Sequence, residues 1–264
     1  MSAQQMRCGN WVSRKMITMA AVPALLFTGL SFATPWFLIG AIPLLVAGGY
    51  LIYARHAFSP EGGNVQGRIQ DLVLEHAAWD GQGRALDVGC GDGYMAIELA
   101  RRSPDAQVTG IDCWGGMWEY SHDACEANAR EAGVADRVTF QRASAAQLPF
   151  EDDTLDLVIS NMVFHEVKDV ADKTQVVKEA LRVLREGGRF AFQDLFQDTQ
   201  LYGSIDDLLR NLREAGISEV RFVATGESAF IPALLRLPFM VGTIGMICGV
   251  KEVGAGWFCA KASP

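Results

Sequence analysis

The chain has 264 residues, half of them hydrophobic and 20% charged, with a net charge of −8 and a mean hydropathy of +0.13. That composition excludes a disordered chain, a collagen-like repeat and a disulfide scaffold. Four of the 23 cations (Arg7, Arg14, Lys15, Arg55) and none of the 31 acids fall in residues 1–55, leaving 56–264 at a net −12. So acidic a body is a poor partner for nucleic acid, whose backbone needs clustered Lys and Arg.

Two uncharged apolar runs, 16–33 and 36–54, come first. Each is about 18–19 residues, enough for a helix rising 1.5 Å per residue to cross a hydrocarbon core of ~30 Å. Thr34-Pro35 separates them, and proline cannot continue a helix without losing a backbone hydrogen bond. Arg14 and Lys15 flank one outer end and Arg55 and His56 the other. The expectation is a transmembrane helical hairpin over 1–55, with both chain ends and the body 66–264 on the cytoplasmic side. A signal peptide cleaved near Ser31-Phe32-Ala33, or a re-entrant or surface-lying hairpin, would be the competing readings. Residues 56–65 read as a turn-rich linker.

From 66 on, strand and helix patterns alternate. Ile69, Leu72, Val73, His76 and Trp79 recur at helical spacing, and Gly81-Gln82-Gly83 ends that helix. A strand at 85–88, a helix at 94–102, a strand at 107–111, a helix at 118–132, and strands at 138–141 and 155–160 follow. Val176, Val177, Ala180, Leu181 and Leu184 form a further helical face. Then come a strand at 189–193, a helix at 205–215, and strands at 220–224 and 257–261. The fold class is α/β: a Rossmann-like, seven-stranded, mostly parallel sheet flanked by helices over 66–264, preceded by the two-helix transmembrane hairpin. A hydrophobic insertion at about 225–256 is expected within it, as a core hairpin, a substrate lid or a membrane-contacting flap. The six cysteines form no C-x-x-C pair, so they read as reduced thiols and imply no metal.

Ligands of such sheets bind beyond the carboxyl ends of the strands. That points to the loops 89–93, 112–117, 142–147, 161–166 and 194–203. The first is Asp87-Val88-Gly89-Cys90-Gly91-Asp92-Gly93, between a strand and a helix. Its glycines let the backbone turn sharply and approach a ligand closely. The spacing is G-x-G-x-G, unlike the G-x-G-x-x-G of dinucleotide folds. Asp112, about 20 residues on at the second strand end, is placed to accept hydrogen bonds from both hydroxyls of a ribose. Capping of the next helix is its plainer alternative.

Together, D-V-G-C-G-D-G, V-T-G-I-D-x-x-x-x-M, L-P-F-E-D-D-T-L-D-L-V-I-S-N-M-V-F-H and E-A-L-R-V-L-R-E-G-G-R-F resemble class I S-adenosylmethionine-dependent methyltransferases of the type 11 kind, over roughly 66–224. The resemblance implies that the backbone of Gly89, Cys90, Gly91 and Gly93 cradles the methionine part of S-adenosylmethionine. It implies that Asp87 orients the amino group, Asp112 binds the ribose and Met117 packs on the adenine. Cys113 flanks the same site. At the third strand end, where such enzymes often carry Asp, this chain has Ser144-Ala145, which can still accept a hydrogen bond. Asn161 would border the sulfonium with its backbone.

Methyl transfer from a sulfonium is an in-line displacement needing alignment more than acid–base help. If the acceptor must lose a proton, His165 is the best base candidate, with Glu166 and Asp194 as alternatives; loop anchoring is the structural alternative for His165. The expected acceptor is a small hydrophobic or lipid-like molecule at a membrane, with a small thiol or amine as the alternative class. A catalytically silent binder of the same cofactor is the competing function.

Overall fold

The structure, a computed structural model, describes residues 9–115 and 118–252. They divide into two units, one made of Gln70–Cys113 and 121–252, the other of 9–69 with Trp114–Tyr120.

In the second unit, α1 (Arg14–Ser31) and α2 (Leu38–Phe58) pair as a helical hairpin, joined through a short 3-10 turn at Pro35–Phe37. Small residues line the contact: Ala24, Ala41 and Gly48 are buried, and a β-carbon on Gly48 would already lie 3.9 Å from that of Ala20. Small residues let helix backbones approach closely. The outer surfaces stay apolar, with Leu25, Leu26, Ile39, Ile42 and Val46 all exposed.

Of the two expected spans, one meets the requirement of length and composition. Among the described residues one helix, Pro35–Phe58, is long and apolar enough to cross a membrane by length and composition. The α1 helix begins with Arg14 and Lys15, which leaves an apolar part of about 24 Å at 1.5 Å per residue, short of a ~30 Å core. Much of the expected linker is ordered too. The last turn of α2 takes in residues 56–58, and a turn closed by Gly62 N and Asn64 N donating to Ser59 O (3.1 and 3.0 Å) leads into α3 (Val65–Ala77).

The first unit carries a seven-stranded sheet of order β3-β2-β1-β4-β5-β7-β6. Its strands are β1 (Gly83–Val88), β2 (Ala106–Asp112), β3 (Val138–Arg142), β4 (Leu155–Asn161), β5 (Leu184–Asp194), β6 (Ile217–Val223) and β7 (Gly245–Lys251). The first five strands pair in parallel, and β7 runs antiparallel between β5 and β6. Side chains alternate between the two faces. Leu86, Val158 and Phe190 belong to one cluster with Val177 and Leu181 of α6 (Lys173–Arg182). Ala85, Leu157 and Ala191 belong to the other, with Ala96 and Ile97 of α4 (Tyr94–Arg102). The remaining helices are α5 (His122–Glu131), α7 (Thr199–Tyr202) and α8 (Ile205–Glu214).

Two expectations change. The segment 225–256 is not simply an insertion, because Gly245–Lys251 is a strand buried along almost its whole length. A strand covered on both faces reads as a continuous apolar run, which periodicity alone cannot tell from a lid. The strand expected at 257–261 lies outside the described residues. Finally, α5 starts at His122 and not at 118: Ser121 is extended and its Oγ accepts from Ala124 N at 3.2 Å, an N-cap.

Lys251 closes the far end of β7. Its buried Nζ meets Asp153 Oδ1 (2.7 Å) and donates to Leu181 O (3.1 Å) and Leu184 O (2.7 Å), tying β7 to the α6–β5 junction. Lys251→Met would strand those carbonyls, and we expect a loss of about 2–4 kcal/mol of stability, read as a lowered denaturant midpoint. An unchanged midpoint would show that water replaces the ammonium at no cost.

Candidate functional site

The strand order reverses between β1 and β4, where the loops after both strands meet. To pass from β1 to α4 the chain turns through Gly89, Gly91 and Gly93 at φ of +74°, +58° and +84°. A β-carbon costs energy at such φ. At Gly89 it would also collide with Val163 after β4, lying 2.1 Å from Cγ2.

The loop is held from three sides. Gly89 N and Cys90 N donate to Ile111 O at 2.8 and 2.9 Å, and Gly91 N donates to Asp112 Oδ2 at 3.0 Å. Half-buried Asp112 is thereby fixed against the glycine turn. From α5, Cys125 Sγ donates to Gly91 O (3.2 Å) and Asn128 Nδ2 to Asp92 O (3.0 Å). Cys125 and Asn128 are three apart on one helix face, a spacing legible in the sequence though no motif marks it.

Asp87 is fully buried at the end of β1. Its Oδ2 accepts from Ala96 N (3.1 Å) in α4, and its Oδ1 has no hydrogen-bond partner among the described residues. Burial pushes its pKa up to about 8, against the backbone bond from Ala96, with the charges of Asp112 and Asp92 adding to the rise. Burial likewise raises the thiol of Cys90, helped by Cys125, and that of Cys113, helped by the charge of Asp112. Neither thiol is poised as a thiolate nucleophile.

After β3, Ala143 N donates to Asp112 O (3.2 Å), Ser144 Oγ accepts from Ala146 N (3.2 Å), and Ala145 is buried. The structure therefore brings Ser144 and Ala145 beside the strand end that carries Asp112. Met117 lies outside the described residues. Asn161, at the end of β4, is buried, and its Oδ1 has no hydrogen-bond partner among the described residues.

His165 and Asp194 come together. Asp194 ends β5 fully buried; its Oδ2 accepts from Val163 N, Phe164 N and His165 N at 3.1, 2.8 and 3.4 Å. Its Oδ1 accepts from Leu195 N at 2.7 Å and pairs with His165 Nδ1 at 2.8 Å. With its oxygens so engaged, Asp194 anchors a loop and an imidazole. A hydrogen bond from Nδ1–H to the carboxylate leaves Nε2 as the basic nitrogen, 3.8 Å from Glu166 Oε1. Burial would lower the His165 pKa, but the bond to Asp194 and its negative charge outweigh that and raise it above 6.5.

The methyltransferase-domain family matches residues 86–192. The malonyl-[acyl-carrier protein] O-methyltransferase of Geobacter sulfurreducens is 34% identical over 230 residues, covering 76% of each chain. The 27-O-demethylrifamycin SV methyltransferase of Amycolatopsis mediterranei is 37% identical over 144 residues, 54% of this chain and 50% of that one. This chain spans about half the length of several of the curated relatives it matches. Among solved structures, the geranyl diphosphate C-methyltransferase of Streptomyces coelicolor A3(2) shares the fold, with a TM-score of 0.55 at 16% identity over 76% of this chain and 82% of its own. The chain belongs to the methyltransferase family.

The elevated Asp87 pKa makes stability depend on pH. The folded state holds a proton that an unfolded Asp, near 3.8, has lost, so stability falls as pH rises from about 4 to about 8. Asp87→Asn should flatten that slope in protein without added cofactor, read from unfolding midpoints across the range. An equal slope in both proteins would mean that Asp87 ionises freely in the fold.

Proposed function

We propose that this protein is a membrane-associated methyltransferase that moves a methyl group from S-adenosylmethionine to a small hydrophobic or lipid-like acceptor. The observation that carries the cofactor assignment is the bond from Gly91 N to Asp112 Oδ2, which joins the glycine turn to an acid at the next strand end. When bound, S-adenosylmethionine supplies an electrophilic methyl on a sulfonium.

The residues present fit that group. Asp112 would take the ribose hydroxyls beside the glycine turn. The unpartnered Oδ1 of Asp87 is a buried acceptor beneath the turn, suited to an ammonium, and Asn161 brings a second buried acceptor to the β4 end. Ser144 would offer a neutral acceptor to the base, with Ala145, Cys90 and Cys113 as passive walls. His165, held by Asp194 through Nδ1, would accept the acceptor's proton at Nε2.

The acceptor class is drawn from the hairpin. Ile39, Ile42 and Val46 of α2 are exposed, an arrangement suited to hydrocarbon more than to water. We therefore place Pro35–Phe58 in the bilayer with α1 alongside it, and the catalytic unit on the cytoplasmic side, where Arg14, Lys15, Arg55 and His56 favour it. An acceptor resident in the same membrane meets an anchored enzyme at raised local concentration.

The deciding measurement is transfer of labelled methyl from S-adenosylmethionine by full-length protein in lipid nanodiscs. Label in the organic-extractable fraction supports the reading. Label confined to a water-soluble thiol or amine overturns the acceptor class, and binding without any transfer overturns the enzyme. Asp112→Asn should weaken S-adenosylhomocysteine binding about 10–100-fold.

His165→Ala should cut turnover about 10²–10⁴-fold with binding of S-adenosylhomocysteine retained. Because His165 must be neutral to act, turnover should climb with pH through its raised pKa, above 6.5. Asp194→Asn, which removes the charge favouring imidazolium, should move that limb to lower pH. A limb that stays in place would show that some other group titrates.

A further inference from the structure

A knot of buried polar groups surrounds the start of the hairpin. Asn10, Val12, Ser13, Phe58 and Gln66 are all buried. Asn10 Nδ2 donates to Arg55 O and Asn10 Oδ1 accepts from Val12 N, both at 2.9 Å. Gln66 accepts from Trp11 N through Oε1 and donates to Gly9 O through Nε2, both at 3.0 Å. Trp11 packs edge-on against Phe58, with ring centroids 5.3 Å apart. Both amide side chains are thus spent joining residues 9–12 to the end of α2 and the start of α3.

The same knot grips a piece of chain from far along the sequence. Glu119 Oε1 accepts from Arg14 N at 3.3 Å, and its Oε2 meets Arg55 Nη1 at 3.4 Å. The Tyr120 ring lies so close to Gly9 that a β-carbon there would come within 2.1 Å of Tyr120 Cε1, and Trp118 stacks on Tyr120 at 6.3 Å. Residues 1–55 contain cations and no acid, so Glu119 is a complementary charge for them.

Tyr120 leads directly into Ser121, the N-cap of α5, and α5 supplies Cys125 and Asn128 to the carbonyls of Gly91 and Asp92. The gripped segment and the helix that braces the glycine turn are therefore consecutive in the chain. We propose that Gly9, Asn10, Arg55 and Gln66 form a clasp on Trp118–Tyr120 through which the N-terminal helical hairpin sets the affinity of the glycine turn for its cofactor. Glu119 and Arg55 are positioning residues, acting through α5 and not by touching the cofactor. The inference rests on the cofactor reading given above, and it makes the hairpin part of the binding apparatus as well as an anchor.

The test uses full-length protein in nanodiscs, with S-adenosylhomocysteine binding by calorimetry and backbone hydrogen exchange in the absence of ligand. Gly9→Val drives a side chain into Tyr120, and Glu119→Gln removes the charge from a partly exposed pair. We expect Glu119→Gln to weaken binding about threefold to fivefold, the reach of such a pair, and Gly9→Val about tenfold. Amides at the start of α5 should exchange faster in both variants, while those of β4 and β5 should not change. Asp112→Asn is the reference. If it loses binding while both clasp variants bind within twofold of the parent and exchange normally at α5, the clasp is overturned. If Asp112→Asn binds normally, the cofactor assignment falls and this inference with it. Should Gly9→Val fail to fold, Glu119→Gln and Arg55→Ala carry the same comparison.

Discussion

A strand that hands its chain to a helix within five residues cannot do so in backbone conformations that ordinary residues favour, and the site depends on how this turn is made. Gly89, Gly91 and Gly93 supply the left-handed conformations. Glycine also loses most conformational freedom on folding, so such a turn needs outside support. Ile111 O and Asp112 Oδ2 take its N–H groups, α5 takes the carbonyls of Gly91 and Asp92, and Asp87 holds the first turn of α4 from below. Because Asp112 gives one oxygen to the turn, the acid and the glycine turn are held as one body. That rigidity is what positioning catalysis requires.

A second buried acid organises the opposite wall. Asp194 gathers three successive N–H groups from the chain after β4 and the imidazole of His165. Burying a carboxylate is costly unless its oxygens are hydrogen-bonded, and these are. The arrangement orients His165 and raises its proton affinity together. Asp87, fully buried at the end of β1, is driven by that burial, and by the charges of Asp112 and Asp92, to hold a proton to about pH 8.

The hairpin packs by a different rule. Its helices meet through Ala24, Ala41 and Gly48 and turn Leu25, Ile39 and Val46 outward, an inversion of the pattern that water selects. Among the described residues, buried amides and ionic groups appear at its base, and there they hold Trp118–Tyr120.

The order of strands and helices from 66 to 224, the glycine turn, Asp112, and Asn161 and His165 at the fourth strand end could all be read along the chain. Each reflects a local requirement: a period of 2 or 3.6, a positive φ, or a polar residue where a buried strand stops. Tertiary structure decided the rest. Whether 245–251 is lid or strand depends on β5 and β6, which lie far away in sequence and provide both edges of its hydrogen bonding. Asp194 reads in the sequence as a rival base to His165, and only the packing of β4 against β5 makes it that residue's support. Glu119, Arg55 and Gly9 carry no motif at all. Their meeting depends on contacts between residues 64 and more positions apart, which no local periodicity encodes.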